Sequence, residues 1–118
     1  MSVNQTAFRL QTEESESGIT VSFPADTALT ESNAEELQRG LLALVAGRTH
    51  PNLIVDLSGI TILTSIILSK FIAINRNVRD AGGHFTLLNP TPTVRMVFTV
   101  TRLDALLDIK PAASGMPA

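Results

Sequence analysis

Asn52-Leu-Ile-Val-Asp56, Leu57-Ser-Gly-Ile-Thr-Ile-Leu63 and the following run Thr64-Ser-Ile-Ile-Leu-Ser-Lys-Phe-Ile-Ala-Ile-Asn-Arg-Asn-Val-Arg-Asp-Ala81 decide the fold. The first five residues are short and continuously apolar in the middle, as expected of a strand covered on both faces. Leu57–Leu63 reads as a lead from that strand into the next element. The period then changes. At about 100° per residue, Ile67, Phe71, Ile74 and Val78 fall on one stripe, flanked by Leu68 and Ile72. A helix over about 64–81 follows, ended by Gly82-Gly83, which act as a C-terminal cap and turn. Ile66 falls on the opposite side with Lys70, Ala73, Asn77 and Asp80, so it is expected as an exposed apolar side chain.

Downstream, His84-Phe-Thr-Leu-Leu88 reads as the next strand, which completes a strand–helix–strand unit. Asn89-Pro-Thr-Pro92 breaks the chain, and Thr91-Pro92 suits an N-cap with proline at the first helical position. Val94, Val97 and Phe98 supply that helix with an apolar face, and Ala105–Ile109 is a short last element. Upstream, Ala7–Gln11 and Ile19–Phe23 read as an antiparallel edge hairpin. The polar turn Thr12–Gly18 joins them and holds the solvated acids Glu13, Glu14 and Glu16. Between hairpin and central strand, Leu37, Leu41, Leu44 and Val45 recur at helical spacing. Thr30 or Ser32 is available as the N-cap, Glu31, Glu35 and Glu36 favour the positive end of the helix dipole, and Gly47 supplies a stop.

The resulting order, β-β-α-β-α-β-α-β, is an α/β class. It implies a single domain over residues 7–110 with a mixed sheet of about four to five strands packed against helices on one or both faces. Residues 1–6 and 111–118 are small or polar and are expected to be flexible. The 118 residues are 44% hydrophobic, with nine Lys+Arg, eleven Asp+Glu and no Cys, Trp or Tyr. Without Cys there is no disulfide scaffold, thiolate zinc site or cysteine nucleophile. A formal net charge of −2 offers nucleic acid no general attraction, and five Phe leave few stacking platforms. The most apolar stretch, 60–74, is broken by Thr61, Thr64, Ser65, Ser69 and Lys70 and falls short of a membrane span of ~20 residues. No basic, apolar leader is visible in Met1–Thr6, so the expected compartment is the cytoplasm. His50 and His84 stand without neighbouring acids at metal-ligand spacing, so neither a metal nor a cofactor is expected. No nucleophile–base set is visible, and the chain reads as a binding domain and not an enzyme.

Several segments occur in an order that resembles one family. They are Leu29–Leu37, Ile54-Val-Asp-Leu-Ser-Gly-Ile60, the helix start at Ser65, Arg76–Gly83, Asn89–Arg95 and Phe98–Leu107. Together, over roughly 18–110, they resemble the STAS domain of sulfate transporters and anti-sigma factor antagonists. In the bacterial anti-sigma factor antagonists the long helix begins Asp-Ser-Ser/Thr-Gly, and its first serine accepts phosphate from an anti-sigma factor that is also a serine kinase. That pattern falls on Thr64-Ser65-Ile66-Ile67. The resemblance implies Ser65 as acceptor, while Thr64 stands in place of the aspartate and Ile67 in place of the glycine.

The residues support two readings at each position. Ser65 lies near unpaired N–H groups at the positive helix end, where a phosphoryl group would add about −1.5 to −2 charges; equally, Ser65 or Thr64 simply caps the helix. Ile66 is either a lone surface isoleucine or the apolar centre of a docking surface. Thr64, Ser69 and Lys70 join it on that surface, and Asp26 is either a turn former or a further contact. The implied partner is an anti-sigma factor or kinase-like protein or another signalling protein, with neither nucleic acid nor membrane insertion. Self-association as a homodimer stays open at this point. So does a constitutive scaffold, stressosome-like or transporter-associated, that lacks the phosphate switch.

Overall fold

The computed structural model describes residues 11–16 and 18–110. The expected flexible ends, and all of the expected strand Ala7–Gln11 except Gln11, lie outside the described residues. Among the described residues, seven strands and three helices follow one another: β1 (Gln11–Ser15), β2 (Gly18–Ser22), β3 (Thr27–Leu29), α1 (Ala34–Val45), β4 (Asn52–Asp56), β5 (Ile60–Leu63), α2 (Ser65–Asp80), β6 (His84–Leu88), α3 (Pro92–Val100) and β7 (Asp108–Lys110). A 3-10 turn, Leu103–Ala105, precedes β7.

The main sheet has the order β1-β2-β4-β6-β7, with β1 antiparallel to β2 and all other neighbours parallel. Parallel β4 and β6 are joined through α2, as the change of period at residue 64 requires. One face of the sheet carries Ile19, Val21, Leu53, Val55, Phe85 and Leu87, all buried in one cluster with the inward residues of the three helices. Phe71 of α2 packs tilted on Phe85 of β6, with ring centroids 6.0 Å apart. The helices therefore cover one face. On the other, Thr20, Ser22, Ile54 and Asp56 are half-buried, so β4 is not enclosed on both sides as its apolar run suggested. A sheet with an antiparallel edge tolerates such a half-open face.

Part of the polar turn expected at Thr12–Gly18 is strand instead. Glu13 and Glu14 belong to β1, not to a turn, and the five residues of β1 are all exposed. An edge strand with no covering layer has no hydrophobic alternation to reveal it, and its charges deter pairing with a further strand. Two other strands escape the sequence reading. β3 and β5 form a separate parallel pair, each too short for a period to register, and the register shifts between Thr27 and Ala28.

Helix ends also differ. Asn33, not Thr30 or Ser32, occupies the N-cap of α1. Its Oδ1 accepts from the Thr30 N–H at 2.9 Å and its Nδ2 donates to the Ala28 carbonyl at 2.9 Å, while the Thr30 and Ser32 hydroxyls bond each other. His84 is not solitary: its Nε2 lies 2.7 Å from Asp108 Oδ2, which also accepts from Thr86 Oγ1. Burial pushes the Asp108 carboxyl up, but the His84 and Thr86 hydrogen bonds and the Lys110 charge outweigh it and hold the group below the usual aspartate range. The long helix is placed as expected, with Ile67, Leu68, Phe71, Ile74 and Val78 buried. Gly82-Gly83 closes it against the loop before β4. A Cβ on Gly83 would fall 1.9 Å from the Pro51 carbonyl oxygen, so only glycine fits.

Candidate docking face at the start of α2

The α2 start lies at the opposite end of the molecule from that glycine turn, because sixteen residues of helix separate them, or about 24 Å at 1.5 Å per residue. β5 delivers the chain to it, and β3 holds β5 in place. The Thr64 N–H donates to the Leu29 carbonyl at 3.1 Å, which pins the bend between β5 and α2 to the end of β3. Thr64 has extended backbone angles, and its carbonyl accepts from the N–H groups of Ile67 at 3.0 Å and Leu68 at 3.3 Å. Its hydroxyl makes no cap. Among the described residues, Thr64 Oγ1 is the buried side-chain oxygen or nitrogen with no hydrogen-bond partner.

Ser65 is the first residue of α2 and is exposed. Ile66 beside it is 40% exposed, as the helical period required, and Ile67 is fully buried. Ser69 is exposed on the next turn and donates its hydroxyl to the Ile66 carbonyl at 2.8 Å. Lys70 departs from the expectation of an open face. Its side chain is largely covered and its Nζ donates to Glu35 Oε2 on α1 at 3.0 Å. Such a partly exposed pair contributes at most about 1 kcal/mol, but it fixes where the ammonium points. Asp26 is exposed in the turn just before β3, with a φ of +62° that aspartate tolerates better than most residues.

Thr64, Ser65, Ile66, Ser69 and Lys70 thus come together on the first turns of α2, whereas Asp26 sits at the far end of β3. Ile62, which sequence reading passed over, is 54% exposed on β5 just before the bend. It shares the strand parity of buried Ile60, so alternation would have placed it inside. The two-stranded β3–β5 ribbon has no layer over Ile62, and only the tertiary arrangement shows that. A cavity of about 470 Å³ lies elsewhere, between the β1–β2 turn and the loop before β4, and contains none of these residues. Among the described residues, no group of three His, Cys, Asp or Glu is arranged to hold a metal ion, and no helix is long and apolar enough to cross a membrane.

The family model of the STAS domain matches residues 10–114. The chain belongs to the STAS domain family. Solved STAS structures agree with this. An anti-sigma-factor antagonist (STAS) domain protein from Planctomyces limnophilus superposes with a TM-score of 0.77 at 19% identity, over 89% of this chain and 92% of that one. An anti-sigma factor antagonist from Mycobacterium paratuberculosis gives 0.76 at 23% identity, over 90% and 87%. The phosphorylated form of the Bacillus cell fate determinant SpoIIAA gives 0.63 at 18% identity, over 86% and 90%. At these identities the superpositions establish the STAS fold. No curated protein matches the sequence.

Proposed function

We propose that this STAS domain is a regulatory protein-binding module of the anti-sigma factor antagonist type, acting in the cytoplasm and docking through the β5–α2 bend. The observation that carries the reading is the pairing of an exposed hydroxyl, Ser65, with an exposed apolar side chain, Ile66, on the first turn of a helix. Ser65 serves as the phosphate acceptor. A separate kinase transfers the γ-phosphoryl group of a nucleoside triphosphate to Ser65 Oγ. The new O–P bond replaces the bond to the departing nucleoside diphosphate, and the hydroxyl proton is released. The product adds about −1.5 to −2 charges beside Ile66, enough to change what docks there. The phosphorylated form of a structural relative supports this reading.

Two observations favour a second reading, a constitutive scaffold on the same face. Ile67 fills the core where the antagonist pattern has glycine, and Thr64 carries an unpartnered hydroxyl where it has aspartate. Intact-mass and fragment analysis of protein from its native host separates the two. One phosphate on Ser65 is expected, and uniformly unmodified protein in both growth and stress would leave the scaffold. Ile66→Asp, folded normally, is expected to lose the copurifying partner; full retention would remove the α2 face from the function.

A further inference from the structure

Four polar side chains meet on the open face of the sheet at its β7 edge. His84 Nε2 lies 2.7 Å from Asp108 Oδ2, Thr86 Oγ1 donates to the same oxygen at 3.2 Å, and Lys110 Nζ lies 3.8 Å from it. The β6–β7 register sets Thr86 opposite Asp108, and alternation along each strand brings His84 and Lys110 to the same face. Ile109 points the other way, against the core, and lines a cavity there with Arg95 and Asp104. Those two charges therefore lie across β7 from Asp108. On β4, Asn52, which pairs with His84, is uncharged, and Asp56 accepts from the Ser58 N–H at 2.9 Å. β7 itself is a three-residue edge strand, with its last carbonyl, that of Lys110, accepting from the Asn89 N–H at 2.7 Å. So short an edge opens more readily than the strands inside the sheet, and a side-chain contact bears on it correspondingly more.

We infer that His84 and Asp108 form a pH-sensitive clasp that fastens β7 to the sheet, tightest where imidazolium and carboxylate are both charged. A carboxylate only accepts, so the hydrogen between the two groups is carried by Nε2. A neutral imidazole keeps that bond. Protonation of Nδ1 adds a positive charge and makes the bond roughly twice as strong. Asp108 sets the acid limit. Burial pushes its carboxyl up, but the His84 and Thr86 hydrogen bonds and the Lys110 charge hold it below the usual aspartate range. Its contribution is therefore complete above that range and is lost as the pH falls through the lowered value. The His84 and Asp108 side chains are 53% and 30% exposed, so solvent limits the gain to a few-fold in the opening of β7. The clasp stands independently of the docking reading for α2.

Native-state hydrogen exchange on the full chain tests it. The Asn89 amide, bonded to the Lys110 carbonyl, reports on β7, and the Leu57 amide, bonded to the Leu88 carbonyl at 2.8 Å, reports on the sheet without β7. Protection factors, corrected for the intrinsic rate at each pH, are compared at about pH 5 and about pH 7.5, either side of the range in which an imidazole titrates. Asn89 protection is expected to be ~3-fold greater at the lower pH, with Leu57 changing by less than ~1.5-fold. His84→Gln, whose amide donates but gains no charge, and Asp108→Asn should each bring the Asn89 ratio to about one. Lys110→Gln and His50→Gln, the latter at the chain's other histidine, should leave the ratio in place. Melting curves at both pH values verify the folds, and His84→Gln decides alone should Asp108→Asn unfold. Equal Asn89 protection at the two pH values in the unaltered chain, or a ratio that survives His84→Gln, overturns the inference. A matching change at Leu57 overturns it as well, because the pH dependence would then belong to the whole domain and not to β7.

Discussion

Two threonines begin two helices of this domain, and they behave differently. Thr91 caps α3: its Oγ1 accepts from the Val94 N–H at 3.3 Å and donates to the Ile60 carbonyl at 3.5 Å, and Pro92 follows it. Thr64 begins α2 with similar extended backbone angles, yet its hydroxyl is buried and unpartnered. At α3, proline removes one orphan donor and presets the backbone, so the threonine side chain is left to serve the helix. At α2, the Thr64 backbone is drawn to β3 through the Leu29 carbonyl, and the side chain is carried inward with it. One helix start is finished by local chemistry. The other is positioned by a neighbouring strand, with the side chain at its N-cap left out of the first turn's hydrogen bonding.

The contrast is open to breakage at four positions. The largest effect is expected from Ile67→Gly, which brings the antagonist pattern's glycine to α2. Ile67 is fully buried, so the cavity and the glycine should together cost about 4 kcal/mol or more, read as a Tm fall of over ~10 °C. A loss below ~1 kcal/mol would mean that the α2 start is not anchored in the core. Thr91→Val should cost about 1 kcal/mol by denaturant titration, because it removes a working cap. Thr64→Val, the same exchange at α2, should cost nothing and stabilise by up to about 1 kcal/mol, because an unpaired buried hydroxyl disappears at nearly constant volume. Equal losses at the two threonines would end the comparison. The smallest change is expected from Ile66→Asp, within about 0.5 kcal/mol by the same titration. A larger loss there would make Ile66 a core residue, not a docking one.

Legibility in the sequence followed length and period. α2, with sixteen residues and a stripe from Ile67 to Val78, was readable because packing and local spacing agree over four turns. α3 was readable from Thr91-Pro92 even though it is nine residues long. β3, with three residues, and β5, with four, carry too few positions for a period to be recognised. β1 gave no apolar signal, because an edge strand exposed on both faces needs none. At the candidate site, Ser65 and the outward aim of Ile66 followed from the helical period. Lys70 did not, since Glu35, which holds it, is thirty-five residues away in the chain. His84 illustrates the same limit, as Asp108 meets it only across the β6–β7 pairing.

The sequence by itself determined that this chain is an α/β domain built round a long amphipathic helix, with a serine at the head of that helix and an isoleucine aimed away from its core. Those are consequences of spacing along one element, and spacing is written in the chain. Tertiary structure decided what surrounds them: a β3–β5 ribbon that leaves Ile62 uncovered, an orphaned Thr64 hydroxyl, and a lysine drawn to Glu35 on α1. The reason is that burial and charge pairing depend on which distant segments meet, and no local period encodes the meeting of residues 29 and 64 or of 35 and 70.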